Sequence, residues 1–203
     1  MKNSKLLALS ATIAALGWVG AASAAPIITN ISASGPGLGS FSSQIDEDNR
    51  SLDLLKTFES LNPITLTFTV EHSTGPANPY EVSEEITNNS GVDWRDFHFE
   101  IVEPPDAPGN GVVFTSFNQS TLTGFTLDAP PSSGPRNLNF TGFLANGGTT
   151  DADFNISPFD PGEGNTYTFS LIQTPTIPEP GTWAMLVAGF IGVLGMVRRR
   201  IGS

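Results

Sequence analysis

An all-β fold, an antiparallel β-sandwich, is what this 203-residue sequence predicts, on three observations. Apolar and polar residues alternate with period two through most of the chain after Pro63. Clusters of Gly, Pro, Asn and Asp punctuate those runs, and no helices alternate with them. No fixed repeat period is visible, which excludes a β-solenoid.

Each element follows from that pattern. PIITNISASGPGLGSFSS, Pro26 to Ser43, reads as an opening strand and then a Gly/Ser/Pro-rich loop. SLDLLKTFES is the one stretch with helical spacing: Leu52, Leu55 and Phe58 would line one face of a helix from Ser51 to about Ser60, closed by Pro63, although a strand also fits. In ITLTFTVE, Ile64, Leu66, Phe68 and Val70 point one way, and Thr65, Thr67, Thr69 and Glu71 the other. YEVSEEIT repeats the pattern with Tyr80, Val82 and Ile86 inward, and TNNSG then turns the chain. WRDFHFEIV sets Phe97, Phe99 and Ile101 against Asp96, His98 and Glu100. Further strands are expected at GVVFTSF, GFTLD, NLNFTGFLA, DADFNI and NTYTFSLIQ, making about eight in all.

The two ends read differently from the body. Residues 1–24 have the parts of a secretory signal: Lys2 and Lys5, an apolar run from Leu6 to Val19, and the small residues Ala22 and Ala24 before a cleavage point. Cleavage after Ala24 avoids placing Pro26 immediately past the cut bond. Residues 25–173 then form the exported domain. The chain lacks cysteine, so neither disulfides nor thiolate metal sites are available. Between the terminal segments only Arg50, Lys56, Arg95 and Arg136 offset nineteen acidic residues. That balance excludes the basic footprint of a nucleic-acid binder and disfavours anionic lipid.

Residues 174–181 read as a stiff linker, because Pro178 and Pro180 hold Ile177 and Glu179 extended. Residues 182–203 follow as a membrane helix with a basic end. Trp183 to Val197 would extend ~22 Å as a helix, short of the roughly 30 Å hydrocarbon core. Trp183 suits the interface, Arg198, Arg199 and Arg200 hold the far end inside, and Gly189, Gly192 and Gly195 give a smooth strip for another helix.

Candidate chemistry in the body is sparse. Asp96, His98 and Glu100 share a face, but residues two apart on a strand stand about 7 Å apart, wide for one ion. Asp151, Asp153 and Asn155, with Asp160 and Glu163 beyond, imitate the start of a calcium loop. Ile156 and Gly162 stand where an EF-hand needs Gly and Glu. Asp46, Glu47 and Asp48 read as a solvated turn, and Trp94 as core or as a sugar-stacking platform. No nucleophile motif or phosphate loop is present, so neither catalysis nor a cofactor or metal is expected. Paired carboxylates acting as a surface hydrolase are the least supported rival.

Pro178-Glu179-Pro180, then Thr182-Trp183-Ala184-Met185-Leu186, the Gly-spaced apolar run and the Arg cluster resemble the PEP-CTERM sorting signal. The resemblance covers about the last 25 residues. It implies recognition by an exosortase, a membrane-embedded cysteine enzyme of Gram-negative bacteria, and cutting at or near the Pro-Glu-Pro. It also implies passage from the inner membrane through the periplasm toward the outer surface or matrix, alongside exopolysaccharide, biofilm or floc formation. TNNSGVDWRDFHFEI weakly resembles segments in other exported proteins with this tail. The tail also ends some ice-binding proteins, a role at which only the Thr65, Thr67, Thr69 row hints. The expected protein is thus a structural or adhesive surface component, with a calcium-dependent or carbohydrate-binding module as the alternative.

Overall fold

The computed structural model describes residues 24–75, 79–107, 111–128 and 136–177. Two sheets face one another across a core of Ile, Leu, Val and aromatic side chains, as the alternation demands. The chain runs β1 (Ala24–Ser34), β2 (Leu38–Asp46), β3 (Ser51–Phe58), β4 (Ile64–Thr74), β5 (Tyr80–Asn88) and β6 (Trp94–Val102). It continues through β7 (Val113–Thr115), a 3-10 turn at Phe117–Gln119, β8 (Thr121–Leu122), β9 (Phe125–Leu127), β10 (Asn137–Leu144), β11 (Thr149–Ser157) and β12 (Thr166–Thr176).

The first sheet has the order β1-β4-β12-β6-β10-β9, and the second β2-β3-β5-β11-β7, with β8 also on β11. One pairing departs from the antiparallel expectation: β3 and β5 are parallel. The intervening β4 crosses to the opposite sheet, so the chain returns to β5 in the same direction as β3. The sandwich is therefore mixed in its second sheet.

Two expectations in the early part of the chain are corrected. The Ser51–Ser60 segment is a strand, not a helix. Its inward residues are Leu52, Leu54, Lys56 and Phe58, while Leu55, assigned to the apolar helix face, is 46% exposed. The stretch after Gly37, expected to be loop, is β2. As an edge strand, β2 buries no residue fully: Leu38, Phe41 and Ile45 pack against the core only in part, and an irregularity between Leu38 and Phe41 breaks the period of two, so periodicity did not reveal it.

The β1–β2 turn needs glycine at Gly35, which has φ +116°, and where a Cβ would stand 2.5 Å from the Pro63 carbonyl oxygen. The β2–β3 turn is closed instead by side chains. Asp46 accepts hydrogen bonds from the Asn49 backbone and side chain, at 3.0 and 2.8 Å. Those bonds hold the exposed Asp46 carboxyl below its ordinary pKa, the Asn49 side chain first. Arg50, at φ 55°, sends its guanidinium to the Pro26 carbonyl and the Tyr80 hydroxyl.

The last strand also runs further than expected. Thr174, Pro175 and Thr176 pair with His98, Phe97 and Asp96 instead of opening a linker at residue 174. Pro175 is tolerated because the β4 pairing has ended at Gln173, leaving that side of β12 free. Among the described residues no helix is long and apolar enough to cross a membrane. The expected signal, Ala22 included, and the expected membrane helix at 182–203 lie outside the described residues, and Ala24 is the first residue of β1.

Candidate functional site: a buried amine, acid and amide

Period two places three polar residues where apolar ones belong. On β3, Lys56 follows Leu54 and precedes Phe58; on β5, Glu84 lies between Val82 and Ile86; on β12, Gln173 follows Leu171. Lys56 and Gln173 are 0% exposed and Glu84 1%. β3 and β5 are neighbours in one sheet, and β12 belongs to the other, so the three side chains meet across the core.

Their contacts form a closed set. The Lys56 ammonium donates to Glu84 Oε1 and to Gln173 Oε1. The Gln173 amide nitrogen donates to both Glu84 oxygens, at 3.1 and 2.9 Å. Lys56 Nζ also lies 5.7 Å from the Phe58 ring centre, and Phe58 in turn packs edge-on against Trp94 and Phe97. The surroundings are dry and aromatic. Burial therefore pulls the Lys56 pKa down to about 8, only partly opposed by the attraction of Glu84.

A buried ion pair of this kind is costly to assemble and gives little net stability over apolar residues of the same shape. Its chemistry is of more interest. An amine with a depressed pKa, a carboxyl and a carboxamide held in mutual contact away from water are the components of acyl transfer. Sequence reading passed over all three: Lys56 and Glu84 entered only the overall charge balance, and Gln173, which is uncharged, was not singled out. The signal was their parity: each occupies an inward position of its own strand.

The residues singled out from sequence lie elsewhere and do not converge on one centre. Trp94 is fully buried, with its indole N–H donating to Ser90 Oγ at 2.9 Å, so it is core and not a sugar platform. Asp96, His98 and Glu100 lie on the outer face of the first sheet. His98 contacts Asn139 at 2.8 Å, and Asp96 accepts from Thr176 at 3.3 Å. Asp160 is taken up by His72 at 2.9 Å. Glu47 accepts the Tyr80 hydroxyl proton at 2.7 Å, which makes the acidic 46–48 turn a structural joint.

Asp153 and Asn155 line an open groove of about 410 Å³ on the outer face of the second sheet, with Asp53, Glu81 and Ser83. Register explains the cluster: Asp53, Ser83 and Asp153 form one row across β3, β5 and β11, and Ser51, Glu81 and Asn155 the next. Asp151 sits directly opposite Glu85, one row further along. Among the described residues no group of three or more His, Asp or Glu could hold a metal ion. The Thr65, Thr67, Thr69 row lies on the outer face of the first sheet, flanked in register by Ser34, Ser32 and Asn30 of β1.

Pro178, Glu179, Pro180, Gly189, Gly192, Gly195 and Arg198 to Arg200 lie outside the described residues. Comparison with known families adds what geometry cannot: the PEP-CTERM protein-sorting motif matches residues 176–200. No curated protein and no solved structure matches the chain. The match confirms the resemblance read from the tail, and the motif is a recognition signal for export sorting by an exosortase. It begins at Thr176, the final residue of β12, so sorting signal and sandwich meet without an intervening spacer.

Proposed function

We propose that the chain is an exported surface protein, released from the inner membrane by an exosortase. Its sandwich then serves as a structural or adhesive part of an extracellular polysaccharide matrix. The observation that carries this reading is the junction at Thr176, where the sorting motif continues directly from an interior strand of the first sheet. β12 is flanked by β4 on one side and β6 on the other, so a pull on the tail is resisted by two rows of backbone hydrogen bonds in shear. A body that holds its attachment point this way suits a component that bears load and does no chemistry on other molecules.

The acidic composition supports the same reading. Asp53, Glu81, Glu85, Asp151 and Asp153 share the outer face of the second sheet, keeping the body soluble and apart from anionic lipid once it is outside the cell. In this reading the exosortase and export machinery are partners in processing, exopolysaccharide is the partner at the destination, and nucleic acid plays no part.

The test is cell fractionation of a host that carries the exosortase. Wild-type protein is expected at the outer surface or in the matrix. Glu179→Ala protein is expected to remain as precursor in the inner membrane. Equal surface delivery of both would contradict the reading.

A further inference from the structure

The Lys56, Glu84 and Gln173 cluster is more than a hydrogen-bonded plug. The geometry points to a self-formed covalent link between Lys56 Nζ and Gln173 Cδ, an intramolecular isopeptide bond for which Glu84 is the catalytic acid–base. Both reacting groups belong to the chain itself, and nothing else is required.

The placement suits the step. Gln173 Cδ carries the oxygen to which Lys56 donates and the nitrogen that donates to Glu84, so amine and carboxyl flank a single amide. Lys56 also donates to Glu84, which gives its surplus proton a direct route to the carboxylate. That transfer converts a buried ion pair into two neutral groups, which a dry interior favours. The depressed basicity of Lys56 works in the same direction.

The bond changes balance without any co-reactant. Neutral Lys56 Nζ attacks Gln173 Cδ, the C=O π pair moves onto Oε1, and the protonated Glu84 stands against Nε2, the atom that will leave. In the tetrahedral adduct Glu84 first gives its proton to Nε2, and the carboxylate so formed then takes one from Nζ. The Cδ–Nε2 bond then breaks and ammonia leaves. One C–N bond forms, one breaks, and no electrons are gained or lost. Held reactants in a water-excluded site replace an encounter with a local rearrangement, and hydrolysis is suppressed for the same reason.

The link would join the two sheets covalently at β3 and β12. Gln173 lies three residues before the matched sorting motif. Tension on the tail would pass from β12 straight into β3, bypassing the chain between them.

The test is tryptic mapping of the denatured full-length chain, made once in cells and once by a reconstituted translation mixture. In both, Lys56 is expected to resist trypsin. The peptide Ser51–Arg95 should appear joined to the peptide that starts at Asn137 and carries Gln173, lighter than their sum by one ammonia. Complete release of Ser51–Lys56, with the Gln173 peptide at full linear mass, would overturn the proposal. A link found in the cellular product alone would overturn self-formation. Glu84→Gln should abolish the branched peptide, with near-ultraviolet circular dichroism checking the fold. A branched peptide persisting in that variant would overturn the role of Glu84, and the wild-type map decides the bond itself even if Glu84→Gln fails to fold.

Discussion

Lys56 and Gln173 stand on opposite sheets and 117 residues apart in sequence, yet their side chains meet in the core with Glu84 against both. A polar contact that spans the sandwich fixes the register of one sheet over the other, because any slip leaves a charge unpaired among aromatic rings.

That arrangement makes removal of one partner worse than removal of all. Lys56→Met can form no link and leaves Glu84 buried without its amine partner, and is expected to cost at least about 3–5 kcal/mol. The combined Lys56→Met, Glu84→Leu, Gln173→Leu variant carries no orphaned polar group and should recover part of that loss. Urea midpoints compare the two directly. A triple variant less stable than Lys56→Met alone would contradict the account.

The two tyrosines make the high-pH limb of stability readable. Burial raises the pKa of Tyr80, with the Glu47 hydrogen bond adding to it, and burial likewise raises that of Tyr167. Unfolded tyrosines ionise near pH 10. Both groups therefore contribute stability that is whole below that pH and is lost as the pH climbs above it toward the folded values. As these are the only tyrosines in the chain, tyrosinate absorbance should stay low past pH 10 and rise only with unfolding. A smooth titration near pH 10 with the fold intact would contradict this.

Trp94 tests whether the body has a sugar platform on β6. Its ring is fully buried against Phe58 and Phe97, so Trp94→Ala should cost about 3–5 kcal/mol. The loss should appear in thermal unfolding with no polysaccharide present. A fully stable variant that lost polysaccharide binding would reverse the assignment.

On the opposite face of the second sheet, Asp151 and Glu85 oppose each other in register, both exposed. Like charges placed so repel, and Asp151→Asn should raise stability by about 0.2–1 kcal/mol. The gain should shrink as salt is added. Calcium-dependent stability lost on the same substitution would instead identify Asp151 as a ligand.

Much of the sandwich was legible because each sheet has one wet face. Ile64, Leu66, Phe68 and Val70 alternate with threonine, and all four are buried as expected. The same logic misled at Ser51–Ser60, where a lysine at the inward parity position made a helix with Leu55 look better than a strand with Lys56 in the core. Glu84 was passed over for a related reason: carboxylates are read as surface until a partner is known, and its partners are distant in sequence. The parallel β3–β5 pairing was hidden as well, since it depends on β4 changing sheets and not on any local pattern. The tail was the opposite case, for its signal lies in consecutive residues that a membrane enzyme reads in order.

The most direct measurement of the central claim is the intact mass of the cell-associated protein from a host that carries the exosortase. A mature chain ending at or near Pro178-Glu179-Pro180 is the expected result. A mass that still includes Arg198, Arg199 and Arg200 would contradict it.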